Sequence, residues 1–141
     1  MINVALAGTW HVHFEGYAKN IAANPLCKIT ALWDPDPEKG KKYSEMFNCC
    51  YEPDYDTLLN RDDVDAVMVC SSTDMHHFVI KKAAEAKKHI FTEKVLCFTE
   101  AESLDVAKAV KENDVKFCIS FPWRSKGDFI WIKNAVDDGL I

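Results

Sequence analysis

The stretch Ile2-Asn3-Val4-Ala5-Leu6-Ala7-Gly8-Thr9-Trp10-His11-Val12-His13 decides how the rest of the chain is read. Ile2 to Ala7 is a near-continuous apolar run, as in a parallel strand covered on both faces. Beyond Gly8, from about His11 to Ala23, the residues Phe14, Tyr17, Ala18, Ile21 and Ala22 fall on one helical face. A buried strand, a glycine turn and an amphipathic helix make a unit whose helix N-terminus can face a phosphate.

Working outward, the same alternation repeats. Lys28 to Trp33 reads as a second strand, broken by Asp34-Pro35-Asp36-Pro37, and a polar helix runs from about Glu38 to Phe47. Tyr51 belongs to a short third strand, followed by a helical turn over 55–59. Ala66 to Cys70 is another buried strand, and Thr73 and Asp74 offer a cap for a helix carrying Val79, Ile80, Ala83 and Ala84. His89 to Thr92 is strand-like. Thr99-Glu100-Ala101-Glu102 matches a capping box and opens a helix presenting Leu104, Ala107 and Val110. Val115 to Phe121 alternates, as in a strand with one face less buried, at a sheet edge or beside another domain.

Strands joined by crossover helices point to an α/β fold with a doubly wound, mostly parallel sheet. Ligands of such sheets bind outside the carboxyl ends of the strands. The expected division is a dinucleotide-binding domain over 1–124, then a helix over 125–141. That helix carries Phe129, Ile132, Ala135 and Val136, widened by Ile130 and Trp131, and should stop near Gly139. An apolar stripe this wide suggests a chain cut before a second domain.

Composition narrows the function classes. With 141 residues, 48% of them hydrophobic, the chain can bury one core and is not intrinsically disordered. Its 17 basic residues against 22 acidic ones give a net charge of −5, which argues against nucleic acid or an anionic membrane as main partner. Neither a membrane span nor a signal peptide is visible. Cys27, Cys70, Cys97 and Cys118 lie in or beside apolar runs, Cys49 and Cys50 are adjacent, and no Cys-x-x-Cys pair occurs. Reduced thiols in a soluble, cytoplasmic protein are expected.

Candidate chemistry sits where strands end. In a turn that cradles pyrophosphate, three glycines normally allow the tight bend, the close approach and the helix packing. Here Gly8 alone remains, with Trp10 and His13 standing in the other positions; read alone, the turn suits an ordinary strand-to-helix connection equally well. His11 and His13 as metal ligands are disfavoured, because residues two apart on a helix diverge, and no metal is expected. Asp34, 21 residues after His13, suits a ribose 2′-hydroxyl and would repel a 2′-phosphate, favouring NAD over NADP; it also suits a turn before Pro35. Lys94, in Thr92-Glu93-Lys94-Val95, would face the crevice and handle a substrate hydroxyl proton; a solvated Glu-Lys pair is the alternative. His76 would border the same crevice, and Arg124 would contact the cofactor or solvent.

Taken together these segments resemble the N-terminal domain of the glucose–fructose oxidoreductase and inositol dehydrogenase (Gfo/Idh/MocA) family. The resemblance rests on Asp34, on Tyr55-Asp56-Thr57-Leu58-Leu59 before Val64-Asp65-Ala66-Val67, on Ser71 to His76, on Glu93-Lys94, and on Phe121-Pro122-Trp123-Arg124. It implies a Rossmann-like domain of an NAD(P)-dependent oxidoreductase moving a hydride between nicotinamide and a sugar, polyol or related substrate. It implies that Gly8, Thr9, Trp10, His11 and Val12 bind the pyrophosphate and Asp34 the adenosine ribose. Ser71, Ser72 and His76 would line the nicotinamide side, with Glu93, Trp123 and Arg124 near the cofactor and Lys94 on the substrate. Val95 replaces the proline usual after Glu-Lys. The resemblance also implies a second, catalytic domain beyond these residues, with any homo-oligomer formed through it or the C-terminal helix. The alternative is a non-enzymatic dinucleotide-binding or protein-interaction module.

Overall fold

A computed structural model describes residues 1–141. Six strands form one parallel sheet: β1 (Ile2–Ala7), β2 (Cys27–Trp33), β3 (Cys50–Tyr51), β4 (Ala66–Val69), β5 (His89–Thr92) and β6 (Phe117–Ile119), in the order β3-β2-β1-β4-β5-β6. The order reverses between β1 and β4, and the carboxyl ends of those two strands frame the crevice such sheets offer a ligand.

The alternation of side chains along β1 builds two cores. Val4 and Leu6 point to the face covered by α1 (Phe14–Ala23) and α2 (Pro37–Met46), where Phe14, Ala18, Ile29, Leu32, Met68 and Cys70 are buried. Ala5 and Ala7 point to the other face. There α3 (Tyr55–Leu59), α4 (Thr73–Glu85) and α5 (Glu100–Glu112) bury Tyr55, Leu58, Val79, Ile80, Val106 and Ala109. Helices on both faces explain why the strands read as apolar runs rather than alternating ones. A 3₁₀ turn over Pro122–Ser125 leads to α6 (Gly127–Asp137).

The element pattern matches the expected one, with local differences. The first helix begins at Phe14, not near His11, because the amides of Trp10 and His11 donate back to the Cys70 carbonyl and hold residues 11–13 in a turn. Ser72 takes the N-cap position of α4 without a side-chain cap bond, so Thr73 and Asp74 are its first helical residues and not its cap. The Thr99 capping box forms, with the Glu102 amide donating to Thr99 Oγ1 and the Thr99 amide to Glu102 Oε2. The face of α5 is turned from the expected stripe: Val106 and Ala109 meet α4, while Leu104 and Ala107 are exposed. Cys118, on edge strand β6, is exposed rather than packed as a small hydrophobe.

The tail helix stops as its sequence suggests. Gly139 has φ +70°, its amide donates to Val136 and that of Leu140 to Ala135, the paired closure of a glycine-ended helix. On α6 only Ala135 is buried; Phe129, Ile130, Trp131, Ile132 and Val136 are exposed.

Candidate functional site: the carboxyl rim of the sheet

Gly8 is where the chain leaves β1, with φ +80°, a conformation side chains oppose. A Cβ there would stand 2.5 Å from Ser71 Cα, so glycine is required by the neighbouring strand end itself. Next to it Thr9 binds Asp34 twice: its amide and its hydroxyl both donate to Oδ2 at 2.7 Å. The amide of Asp36 donates to Oδ1 at 2.8 Å. Asp34 is therefore buried and mostly engaged, keeping spare acceptor capacity chiefly on Oδ1.

A small cavity of about 90 Å³ joins these groups, lined by Gly8, Trp10, Asp34, Asp36, Lys39, Ser71 and Ser72 among others. The Trp10 indole forms one wall and is 61% exposed, so it flanks the crevice without plugging it. The hydroxyl of Ser71 is buried there with no hydrogen-bond partner. Such a group costs free energy unless a partner arrives, and a ligand in the crevice would supply one. Nearby, the amides of Val12, in the turn, and of Glu15 and Gly16, in the first turn of α1, make no hydrogen bond within the protein. Free amides at a helix N-terminus suit an anion. These features fit a nicotinamide dinucleotide, although the turn carries one glycine instead of three.

Further along the rim, Glu93 follows directly after β5, with its side chain fully buried. Its Oε1 accepts from Tyr17 Oη and pairs with His13 Nδ1, both at 2.6 Å, and its Oε2 accepts from the Lys94 amide at 2.8 Å. Burial pushes the carboxyl pKa up, but the hydrogen bonds from Tyr17, His13 and the Lys94 amide outweigh it and hold the pKa below the ordinary glutamate value. Tyr17 also bonds Ser120 Oγ at 2.7 Å, tying α1 to the end of the sheet's last strand. Burial, with the carboxylate of Glu93 behind it, pushes the Tyr17 phenol up.

Lys94 stands at the mouth of this network, its Nζ 3.2 Å from His11 Nε2 and 3.9 Å from Glu93 Oε2. With His13, Glu93, Ser120, Phe121, Pro122, Trp123 and Arg124 it lines an open cavity of about 540 Å³. The peptide joining Lys94 to Val95 is cis. His76 is buried, its Nδ1 2.8 Å from the Val95 carbonyl and its Nε2 3.2 Å from that of Ser71. It links the ends of β4 and β5 rather than pointing into the open cavity. Val12 is exposed at the turn's tip.

The histidine pair departs from expectation. Because residues 11–13 form a turn, the two rings do not diverge: their centroids are 4.8 Å apart, and both Nδ1 atoms face Glu93 Oε1, at 3.7 Å from His11 and 2.6 Å from His13. Coordination of a metal through His11 Nδ1 would leave Nε2 protonated and aimed at the Lys94 ammonium, donor against donor. The cluster is arranged as a hydrogen-bond network. Sequence reasoning missed Tyr17, which donates to Glu93, and Ser120, which bonds the Tyr17 hydroxyl; one is a helix-face aromatic and the other a strand-end serine, and neither pattern signals such a role.

A parallel sheet in 3-2-1-4-5-6 order, with a turn, a carboxylate and a buried serine gathered at its reversal, defines a dinucleotide-binding domain. Residues 2–121 match the Gfo/Idh/MocA model, an oxidoreductase family with an NAD-binding Rossmann fold, and the chain belongs to that family. It is 36% identical over 126 residues to YrbE, an uncharacterized oxidoreductase of Bacillus subtilis, across 89% of this chain and 37% of that protein. It is 28% identical over 125 residues to inositol 2-dehydrogenase of Rhizobium meliloti, across 89% of this chain and 38% of that protein. A 3-ketoreductase from Actinomadura kijaniata, in complex with NADP and TDP-benzene, superposes with a TM-score of 0.86 at 26% identity, across 99% of this chain and 43% of the other. The chain thus spans well under half the length of these relatives, and what it matches is their nucleotide-binding part. No helix is long and apolar enough to cross a membrane.

Proposed function

We propose that this chain is the cofactor-binding part, over 1–124, of an NAD-preferring oxidoreductase acting on a sugar, polyol or related substrate. The observation that carries the reading is the crevice at the sheet's reversal, where Gly8, Asp34 and the unpartnered Ser71 hydroxyl meet one cavity. In this reading the free amides of Val12, Glu15 and Gly16 receive the pyrophosphate, and Asp34 accepts a ribose hydroxyl through Oδ1 and disfavours a 2′-phosphate. Bound nicotinamide would supply the hydride chemistry. Lys94, at the edge of the larger cavity beside Trp123 and Arg124, would hydrogen-bond the reacting oxygen and hold or release its proton. Glu93 serves by fixing the Lys94 backbone rather than by touching cofactor.

Turnover would need substrate contacts from a second domain, and the exposed apolar side of α6 suits packing against that domain or another subunit. Six unpaired cysteines suit a reducing compartment such as the cytoplasm. Titration of the purified chain with NADH, followed by nicotinamide fluorescence, tests the reading. Saturable binding supports it, and no binding at millimolar cofactor favours a protein-interaction module.

A further inference from the structure

The ring of His11 is held between three groups whose demands conflict. Lys94 Nζ lies 3.2 Å from its Nε2, Glu93 Oε1 lies 3.7 Å from its Nδ1, and the His13 amide lies 3.2 Å from the same Nδ1. A neutral imidazole carries one hydrogen, so two arrangements exist. With hydrogen on Nδ1, the ring gives up the His13 amide bond, turns its N–H toward the Glu93 carboxylate at 3.7 Å, beyond hydrogen-bond reach, and presents a bare Nε2 to Lys94. With hydrogen on Nε2, the ring accepts the His13 amide but turns a donor toward Lys94. An ammonium at Lys94 has only donors, so it is compatible with the first arrangement alone. The hydrogen bond it then makes is charge-assisted, which outweighs the neutral one from the His13 amide.

We propose that His11 is a positioning residue for Lys94: its Nε2 clamps the ammonium at the rim of the 540 Å³ cavity, and the ammonium in turn selects the tautomer that leaves this nitrogen bare. The charged or titratable groups facing the ring are Glu93 and Lys94 from the end of β5 and the turn after it, His13 from its own turn, and His76 from α4. The His11 side chain is only 10% exposed. Burial, helped by Lys94, His13 and His76, pushes the His11 pKa down despite the pull of Glu93, and so favours the neutral ring the clamp requires. Only the significance of the clamp for turnover rests on the proposed role of Lys94; the clamp itself is a property of this chain and is measurable without substrate.

The test is ¹⁵N-histidine labelling of the chain near neutral pH, with two-bond proton–nitrogen correlations reporting which imidazole nitrogen carries hydrogen. In the wild-type chain His11 is expected as the Nδ1–H tautomer. In Lys94→Met, which removes the cation and keeps the stem, it should change to Nε2–H. Lys94→Arg, which restores a cationic donor, should return the ring to Nδ1–H. Backbone amide spectra show that each variant is folded, and the half-exposed Lys94 side chain can be replaced without opening the core. The same tautomer in all three proteins, or a wild-type ring already in the Nε2–H form, would overturn the proposal. If the swap occurs but Lys94→Met leaves turnover of a complete enzyme intact, the clamp stands and the role of Lys94 in the proposed function falls.

Discussion

Gly8 and Ser71 approach so closely that a Cβ on the glycine would overlap the serine backbone, 2.5 Å from its Cα and 2.6 Å from its nitrogen. The contact brings the carboxyl ends of β1 and β4 together at the point where the sheet order reverses. Gly8→Ala meets two penalties, a left-handed backbone at φ +80° and a collision with main chain that cannot rotate away. The left-handed conformation alone costs a non-glycine residue roughly 1–2 kcal/mol. With the collision added, a loss of about 3 kcal/mol is expected, read as a lower urea midpoint at unchanged slope. A loss under about 0.5 kcal/mol would mean the two strand ends can separate at little cost.

The buried Glu93 carboxylate makes stability depend on pH. Its folded pKa lies below the ordinary 4.5, so the stability it contributes is full above that value and is lost as pH falls through the folded value. His11, also shifted down, adds loss of the same sign from about its ordinary 6.5 downward, because the unfolded chain binds its proton first. Urea unfolding across the acid range should therefore show a steady fall in stability. Glu93→Gln should weaken the fold by about 2 kcal/mol near neutrality, because Tyr17, His13 and the Lys94 amide lose a charged acceptor. The variant should also show a shallower acid limb. A limb of unchanged steepness would assign the acid sensitivity to other groups.

Much of this rim was legible in the sequence, and the illegible part has a common cause. Apolar runs fixed the strand positions because both faces of the sheet are covered, and the Thr99 box marked the start of α5 through purely local hydrogen bonds. The turn after β1 reads as helix in the sequence because its geometry depends on a distant acceptor, the Cys70 carbonyl just after β4. The convergence of His11 and His13 on Glu93 followed from that same long-range bond. Leu104 was expected inward because spacing gives the period of a helix but not which of two adjoining faces its neighbours cover. The Thr9–Asp34 pairing was invisible for a similar reason: it joins two strand ends 25 positions apart.

That pairing makes Asp34 a test of cofactor preference and of local structure at once. Asp34→Ser should raise affinity for NADPH relative to NADH by about tenfold, equivalent to ~1.4 kcal/mol, as the charge opposing a 2′-phosphate is removed. It should also lower stability, because Thr9 loses the acceptor of both its amide and its hydroxyl. Titrations with the two reduced cofactors measure the first effect and urea unfolding the second. An unchanged ratio, with stability lowered, would leave Asp34 as a brace for the turn and remove it from the ribose.

The cysteines should divide by burial. Cys50 and Cys118 are exposed, whereas burial pushes the Cys70 thiol up to about 12 and Cys49 up to about 11. Since the thiolate is the reactive form, an aromatic disulfide reagent near neutral pH should label Cys50 and Cys118 rapidly. Cys70 should react only when urea opens the fold. Rapid labelling of Cys70 in the native protein would show the β4 end, and with it the crevice, to be open far more often than its packing suggests.

Ser71 supplies the sharpest separation of binding from stability. Its hydroxyl is buried with no hydrogen-bond partner in the protein, so it is a cost until something in the crevice bonds it. Ser71→Ala deletes that cost while leaving the carbonyl that meets His76 in place. Stability of the cofactor-free chain should hold or rise by about 1 kcal/mol, and affinity for NADH should fall by about fivefold, the ordinary worth of one neutral hydrogen bond. Most buried substitutions lose stability, so a variant that gains it while binding less tightly would mark Ser71 as a residue kept for its ligand. Equal NADH affinity in the two proteins would place the nicotinamide away from the end of β4, and the crevice reading would have to be rebuilt around the larger cavity beside Lys94.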